Sequence, residues 1–234
     1  MGAIFRREVL SYFTSPIGYI FLAAFYASSA VMFSVNALDR GSTQLDAVFA
    51  NLMIILVVLI PILTMRTLSE EKKSKTDQCL LTSPVSIFGI VAGKFLASLL
   101  IYVLGVAITL VYAVVVSAFA APDWTVILGN IVGLILLGAA FIAVGIFCSS
   151  FTENQIVSAV VSFIALIVLY LFSTIGSIIP VEFITKIFVK LSFWERYLVF
   201  TYGLFDLSNV LFFVSTVVIF LFLTVRVLER RRWA

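Results

Sequence analysis

The stretch Thr125–Cys148, TVILGNIVGLILLGAAFIAVGIFC, contains no Asp, Glu, Lys or Arg. It is longer than the about 20 apolar residues that carry a helix across the hydrocarbon core of a bilayer. Its small residues include Gly129, Gly133, Gly138, Ala139, Ala140, Ala143 and Gly145. Such residues let helices approach closely, most simply within one subunit. The same kind of run recurs on both sides of it, at Ile17–Asn36, Ala47–Met65, Phe95–Ala118, Ile156–Ile179 and Ser208–Val225. Six transmembrane helices are therefore expected. All 15 basic and 12 acidic residues fall outside these runs. A charge at a helix centre costs about 2.5–3.5 kcal/mol on insertion, so this partition argues for the spans. The fold class that follows is an all-α polytopic membrane protein.

Composition agrees. Of 234 residues, 63% are hydrophobic and 12% charged. Soluble domains average about 45–50% and about 25%. A soluble enzyme, a disordered chain and a disulfide-rich module are excluded. Histidine is absent, and Cys79 and Cys148 are the only cysteines. No metal site and no catalytic residue are expected, because the usual ligands and general base are missing.

An even number of spans puts both termini on one side. That side holds Arg6, Arg7, Arg66, Lys72, Lys73, Lys75, Lys94, Arg226, Arg230, Arg231 and Arg232, against Arg40, Lys186, Lys190 and Arg196 opposite. The excess of Lys and Arg makes it the cytoplasmic side. Tyr12, Tyr19, Trp124, Trp194, Tyr197 and Trp233 fall near the expected interfaces, where amphipathic rings suit headgroup depth. Residues 1–16 do not read as a cleavable signal peptide, since the apolar run after Pro16 is too long. Ala3–Phe13 mixes Arg6, Arg7 and Glu8 with bulky apolar residues, which predicts an N-terminal interfacial helix.

Three segments are not plain spans. The loop at 66–94 predicts a short charged helix, with Thr67 and Glu70 as a capping box and Glu71 and Lys75 paired four apart. Ser83 and Pro84 would start the following helix. The loop reads either as a solvated turn or as a docking surface in which Leu68, Leu80 and Leu81 anchor in a partner's groove. The turn at 149–155 carries a second capping box, Thr152-Glu153-Asn154-Gln155. The segment at 180–207 puts Glu182, Lys186 and Lys190 on one narrow stripe within an apolar helix, which lies in the outer interface or re-enters against protein.

Self-powered transport is poorly supported, because ion-coupled carriers place ionisable residues inside the membrane. Gly89–Lys94 is one residue short of a phosphate loop and opens a span rather than following a strand. Ser158, Ser162, Ser173 and Ser177 share one sector of the fifth span, so they either line a wet cavity or bond between helices. Pro61 frees the Val57 carbonyl and predicts a kink.

Four stretches together resemble ABC-2 type permeases, the membrane subunits of ATP-driven ABC transporters, and among them the branch grouped with gliding-motility transporters. TMRTLSEEKKSKTDQCLLTSPVSIFGIVAGKF (Thr64–Phe95) resembles the region of their coupling helix, and IFCSSFTENQIVSA (Ile146–Ala159) the turn between spans four and five. FDLSNVLFFVSTVVIFLFLTVRVLERRRW (Phe205–Trp233) looks like their last span and basic tail, and IFRREVLSYFTSPIGYI (Ile4–Ile20) fits their interfacial helix. The resemblance covers nearly the whole chain as a single transmembrane domain. It implies a six-span permease in a bacterial inner membrane, paired with a second copy or a related permease. It also implies a separate ATPase subunit that binds ATP and Mg, so this chain needs no cofactor of its own. No nucleic acid is expected as a partner. By position, Glu70, Glu71, Lys72, Lys73 and Thr76 would lie on or beside the coupling helix, and Leu80 and Leu81 would end it. Thr152, Glu153, Asn154 and Gln155 would be a secondary contact. The family commonly has Gly where Lys75 stands between Ser74 and Thr76, which predicts a stiffer helix here. The expected function is the permease subunit of an exporter. The alternative is a non-transporting anchor that relays mechanical or assembly signals to an outer partner.

Overall fold

A computed structural model of the chain describes residues 2–38, 45–76, 85–118, 123–178 and 182–232. Twelve α-helices lie among them. They are α1 (Gly2–Thr14), α2 (Pro16–Phe33), α3 (Asp46–Thr64), α4 (Ser69–Lys73), α5 (Ile87–Val106), α6 (Ile108–Ser117), α7 (Trp124–Ser149), α8 (Gln155–Tyr170), α9 (Phe172–Ile178), α10 (Glu182–Leu191), α11 (Phe193–Thr201) and α12 (Leu207–Arg232). A single π-helical turn, Ser34–Leu38, extends α2. No strand occurs among the described residues.

Among the described residues, five helical stretches are long and apolar enough to cross a membrane: Pro16–Ala37, Asp46–Lys73, Ile87–Ser117, Trp124–Ser149 and Leu207–Arg231. The chain is an integral membrane protein. The fifth of the six expected spans, 156–179, is not one helix. It breaks at Leu171, whose ψ of 3° leaves the helical range. The 16 residues of α8 reach only about 24 Å, short of the about 30 Å core. Hydrophobic periodicity reports an apolar run but not a local break within it.

Helix α7 is the post around which the others stand: α3, α5, α8, α11 and α12 all pack on it. Asp123 starts α7 by accepting hydrogen bonds from the Thr125 and Val126 amides at 3.0 and 3.4 Å. The glycines of α7 are sockets for its neighbours. A Cβ at Gly133 would come within 2.6 Å of Phe200 on α11, at Gly138 within 2.2 Å of the Tyr102 ring on α5, and at Gly145 within 2.2 Å of Thr64 on α3. Tyr102 Oη also donates to the Leu134 carbonyl at 2.6 Å. The small residues therefore serve packing within one subunit, as the sequence suggests.

Tyr197 is fully buried between α3 and α7 and donates to the Phe49 carbonyl at 3.0 Å. It is a core residue and not the interfacial anchor expected. Tyr12 is likewise buried, donating to Leu63 at 3.1 Å and sharing a hydrogen bond with Ser98 at 2.8 Å. Tyr19 and Trp124 stay exposed, as headgroup-level rings would. Replacing Gly138 by Ala should cost about 1–3 kcal/mol through overpacking. Gly129→Ala, whose methyl meets nothing closer than 3.4 Å, should be near neutral. Thermal unfolding in detergent separates the two.

Candidate functional site

One end of the bundle gathers four separate stretches of chain. Lys72 pairs with Glu153 at 3.3 Å, joining the loop after α3 to the turn before α8. Arg7 pairs with Glu71, joining α1 to α4. Arg231, at the end of α12, donates to the Ser150 carbonyl. Arg7 thus ties the first helix to the loop at 66–76, and Arg231 ties the last helix to the turn at 149–154.

At the centre of this end sits Lys94, with a side chain only 1% exposed. Helix α5 begins at Ile87, capped by Ser86, so Lys94 stands two turns inside it and not outside the span. Its Nζ lies 3.1 Å from Glu8 Oε1, 2.9 Å from Glu71 Oε1 and 2.7 Å from the Thr67 carbonyl. Arg7 adds a contact to Glu8 at 2.7 Å. Two cations and two carboxylates make a neutral quartet that links α1, α4 and α5. A buried ammonium without such partners would cost several kcal/mol. Burial pushes the Glu8 carboxyl up, but Lys94 and Arg7 outweigh it and hold the carboxyl below the ordinary range. Burial acts on the Arg7 guanidinium in the opposite sense to Glu8 and Glu71, which prevail and raise it. Around the quartet is a polar cavity of about 340 Å³ that reaches Arg66, Glu70 and Thr76.

The predicted site residues divide. Glu70, Glu71, Lys72 and Lys73 share α4 or its first turn, as expected. The capping box does not form. Leu68 is the N-cap and gives no side-chain bond, Glu70 turns back to Arg66, and Thr67 Oγ1 donates to the Thr64 carbonyl at 2.6 Å. Leu68 is 6% exposed and part of this chain's own core. It anchors the loop inward. Leu80, Leu81, Cys79, Ser83 and Pro84 lie outside the described residues.

Lys75 corrects another expectation. It does not extend α4 but sits at φ +57°, the left-handed region that favours glycine. Thr76 N donates to the Glu71 carbonyl at 3.0 Å and Lys75 N to Lys72 at 3.2 Å. This is a Schellman stop with lysine in the usual glycine position. The left-handed cost of about 1–2 kcal/mol for a residue with a Cβ stays in the loop.

The second capping box is also replaced. Asn154 caps α8 by accepting from the Ile156 amide at 2.9 Å, and Thr152 Oγ1 accepts from Asn154 N at 3.1 Å. Glu153 is exposed and engaged with Lys72, and Gln155 is the first residue of α8. Ser158 and Ser162 are fully buried where α8 meets α3 and α7, so they line no open cavity in this subunit. Ser158 Oγ finds no hydrogen-bond partner among the described residues. Ser162 has the Cys148 thiol for a neighbour but makes no hydrogen bond of ordinary geometry. Ser173 is half-buried, and the side chain of Ser177 lies outside the described set.

Sequence reading missed Glu8 and Lys94. One signal was available: Lys94 is the single charge in the otherwise apolar run Ile87–Ser117. No group of His, Cys, Asp and Glu that could hold a metal occurs among the described residues. A family model described as "ABC-2 family transporter protein" matches residues 26–227. No curated protein matches the chain.

Replacing Lys94 by Met should cost about 3–5 kcal/mol, because two carboxylates lose their buried partner. Unfolding in detergent reads this loss. Glu8 has a lowered pKa. Its tie is therefore whole at neutral pH and weakens only as acidification passes below the ordinary carboxylate range. Hydrogen exchange of residues 2–14 should rise there, and Glu8→Gln should show the same rise at neutral pH.

Proposed function

The chain belongs to the ABC-2 family of transporter proteins and is a membrane permease component of an ABC transporter. On that premise we propose that it is the moving half of an ATP-driven exporter, worked by a separate ATPase docked at the end where α1, α4 and the 149–154 turn meet. That end is the cytoplasmic one in this reading. The excess of Lys and Arg supports it, and so does the gathering of the first helix on the loop at 66–76 and of the last on the turn at 149–154. A bacterial plasma membrane fits. In this reading α8 and α9 together make the fifth of six crossings, and α11 is the outer re-entrant piece.

The observation that carries the reading is the set of ties on α4. Glu71 is held to Lys94 on α5 and to Arg7 on α1, while Lys72 is held to Glu153 ahead of α8. A push on α4 therefore reaches three elements without any long lever. Neighbouring helices would tilt between packed states around α7, and no residue here makes or breaks a covalent bond. ATP and Mg would stay with the ATPase. The exposed apolar faces of α2, α8 and α12 would meet lipid or a second permease.

Reversing the charges at Glu70, Lys72 and Lys73 should weaken capture of the cognate ATPase and lower transport-stimulated ATP turnover at least tenfold. Unchanged binding and turnover would contradict the docking role. The swap Lys72→Glu with Glu153→Lys should restore more activity than either single change, read as ATP turnover in proteoliposomes.

A further inference from the structure

Helix α1 has a second face that the quartet does not use. Ile4 packs on Gly93, where α1 lies against α5. A groove of about 600 Å³ is left between them. Its floor on α5 is Leu96, Leu100, Val103 and Leu104, and its α1 wall is Gly2 and Phe5. Leu96, Leu100 and Leu104 recur every four residues, so they form one stripe, and they are 39%, 38% and 42% exposed. From Leu96 to Leu104 the stripe rises about 12 Å, close to the depth of one leaflet's chains. The volume lies within the range of small-molecule sites.

The two neighbouring arginines of α1 behave differently. Arg7 is paired with Glu8 and Glu71. Arg6 is exposed and makes no hydrogen bond or ion pair among the described residues. At 100° per residue Arg6 stands about 40° from Gly2, so it leaves α1 on the side that borders the groove. We infer that this groove holds an acyl chain of an anionic phospholipid, with the phosphate on Arg6. An apolar trough one leaflet deep, bordered by a helix that carries an unpaired guanidinium, matches the lipid in both length and charge. The inference needs α1 to lie at the membrane surface. It does not need the ATPase to dock nearby, so either reading can fail alone.

The test is lipid retention by the full chain. It is reconstituted in nanodiscs of equal phosphatidylglycerol and phosphatidylcholine, released into detergent and examined by native mass spectrometry. The wild-type protein should retain phosphatidylglycerol in preference to phosphatidylcholine. Arg6→Gln should lower that preference by about fivefold, the effect of one basic residue beside an anionic leaflet. Leu100→Trp, which fills the groove at an exposed position, should reduce retention of both lipids. Arg226→Gln, an exposed arginine on α12, should leave the preference unchanged. Equal retention of both lipids by the wild type would overturn the inference. So would a wild-type ratio in Arg6→Gln, undiminished retention in Leu100→Trp, or the same loss in Arg226→Gln.

Discussion

A cation with no access to water must be matched where it stands, and Lys94 is such a cation. Two carboxylates and one carbonyl surround it, and they come from two distant places in the chain, α1 and the loop at 66–76. Glu8 fixes where the N-terminal helix lies. Glu71 and the Thr67 carbonyl fix where the loop after α3 lies. Neither could move far without stranding a charge in a low dielectric. The polar end of the molecule is thus set by one ammonium group, whereas shape complementarity sets the rest.

Which parts of this were legible in the sequence follows from physics. The apolar runs were legible because a bilayer imposes length and excludes charge, and Thr125–Cys148 emerges as α7 almost residue for residue. The glycines of α7 were legible as packing residues, though not their partners: nothing local in Gly138 points to Tyr102. The break at Leu171 was hidden, since no proline or glycine marks it. The loop at 66–76 was read as charged and helical, correctly, but its internal bonding was misjudged. A capping box is a local motif, and here Thr67 and Glu70 are drawn away by Thr64 and Arg66. Lys94 escaped notice because a lysine at the edge of an apolar run looks like its boundary. Only the long-range meeting with Glu8 shows that it belongs inside.

Lys75 illustrates the same limit at a single residue. Its identity argued for a longer, stiffer helix. The hydrogen bonds from Thr76 and Lys75 back to Glu71 and Lys72 end that helix instead. The result is a blunt, short element, with charges on α4 close to their partners on α5 and in the turn before α8.

The three sockets on α7 bear on how such a molecule can change shape. Thr64, Tyr102 and Phe200 enter the post at Gly145, Gly138 and Gly133, heights spread over about 18 Å of its axis. Like teeth seated in notches, they forbid α3, α5 and α11 from sliding lengthwise unless they first lift clear. Rocking about the notches keeps every tooth engaged. Keying of this kind opposes lengthwise displacement of α3, α5 and α11 more than sideways rocking.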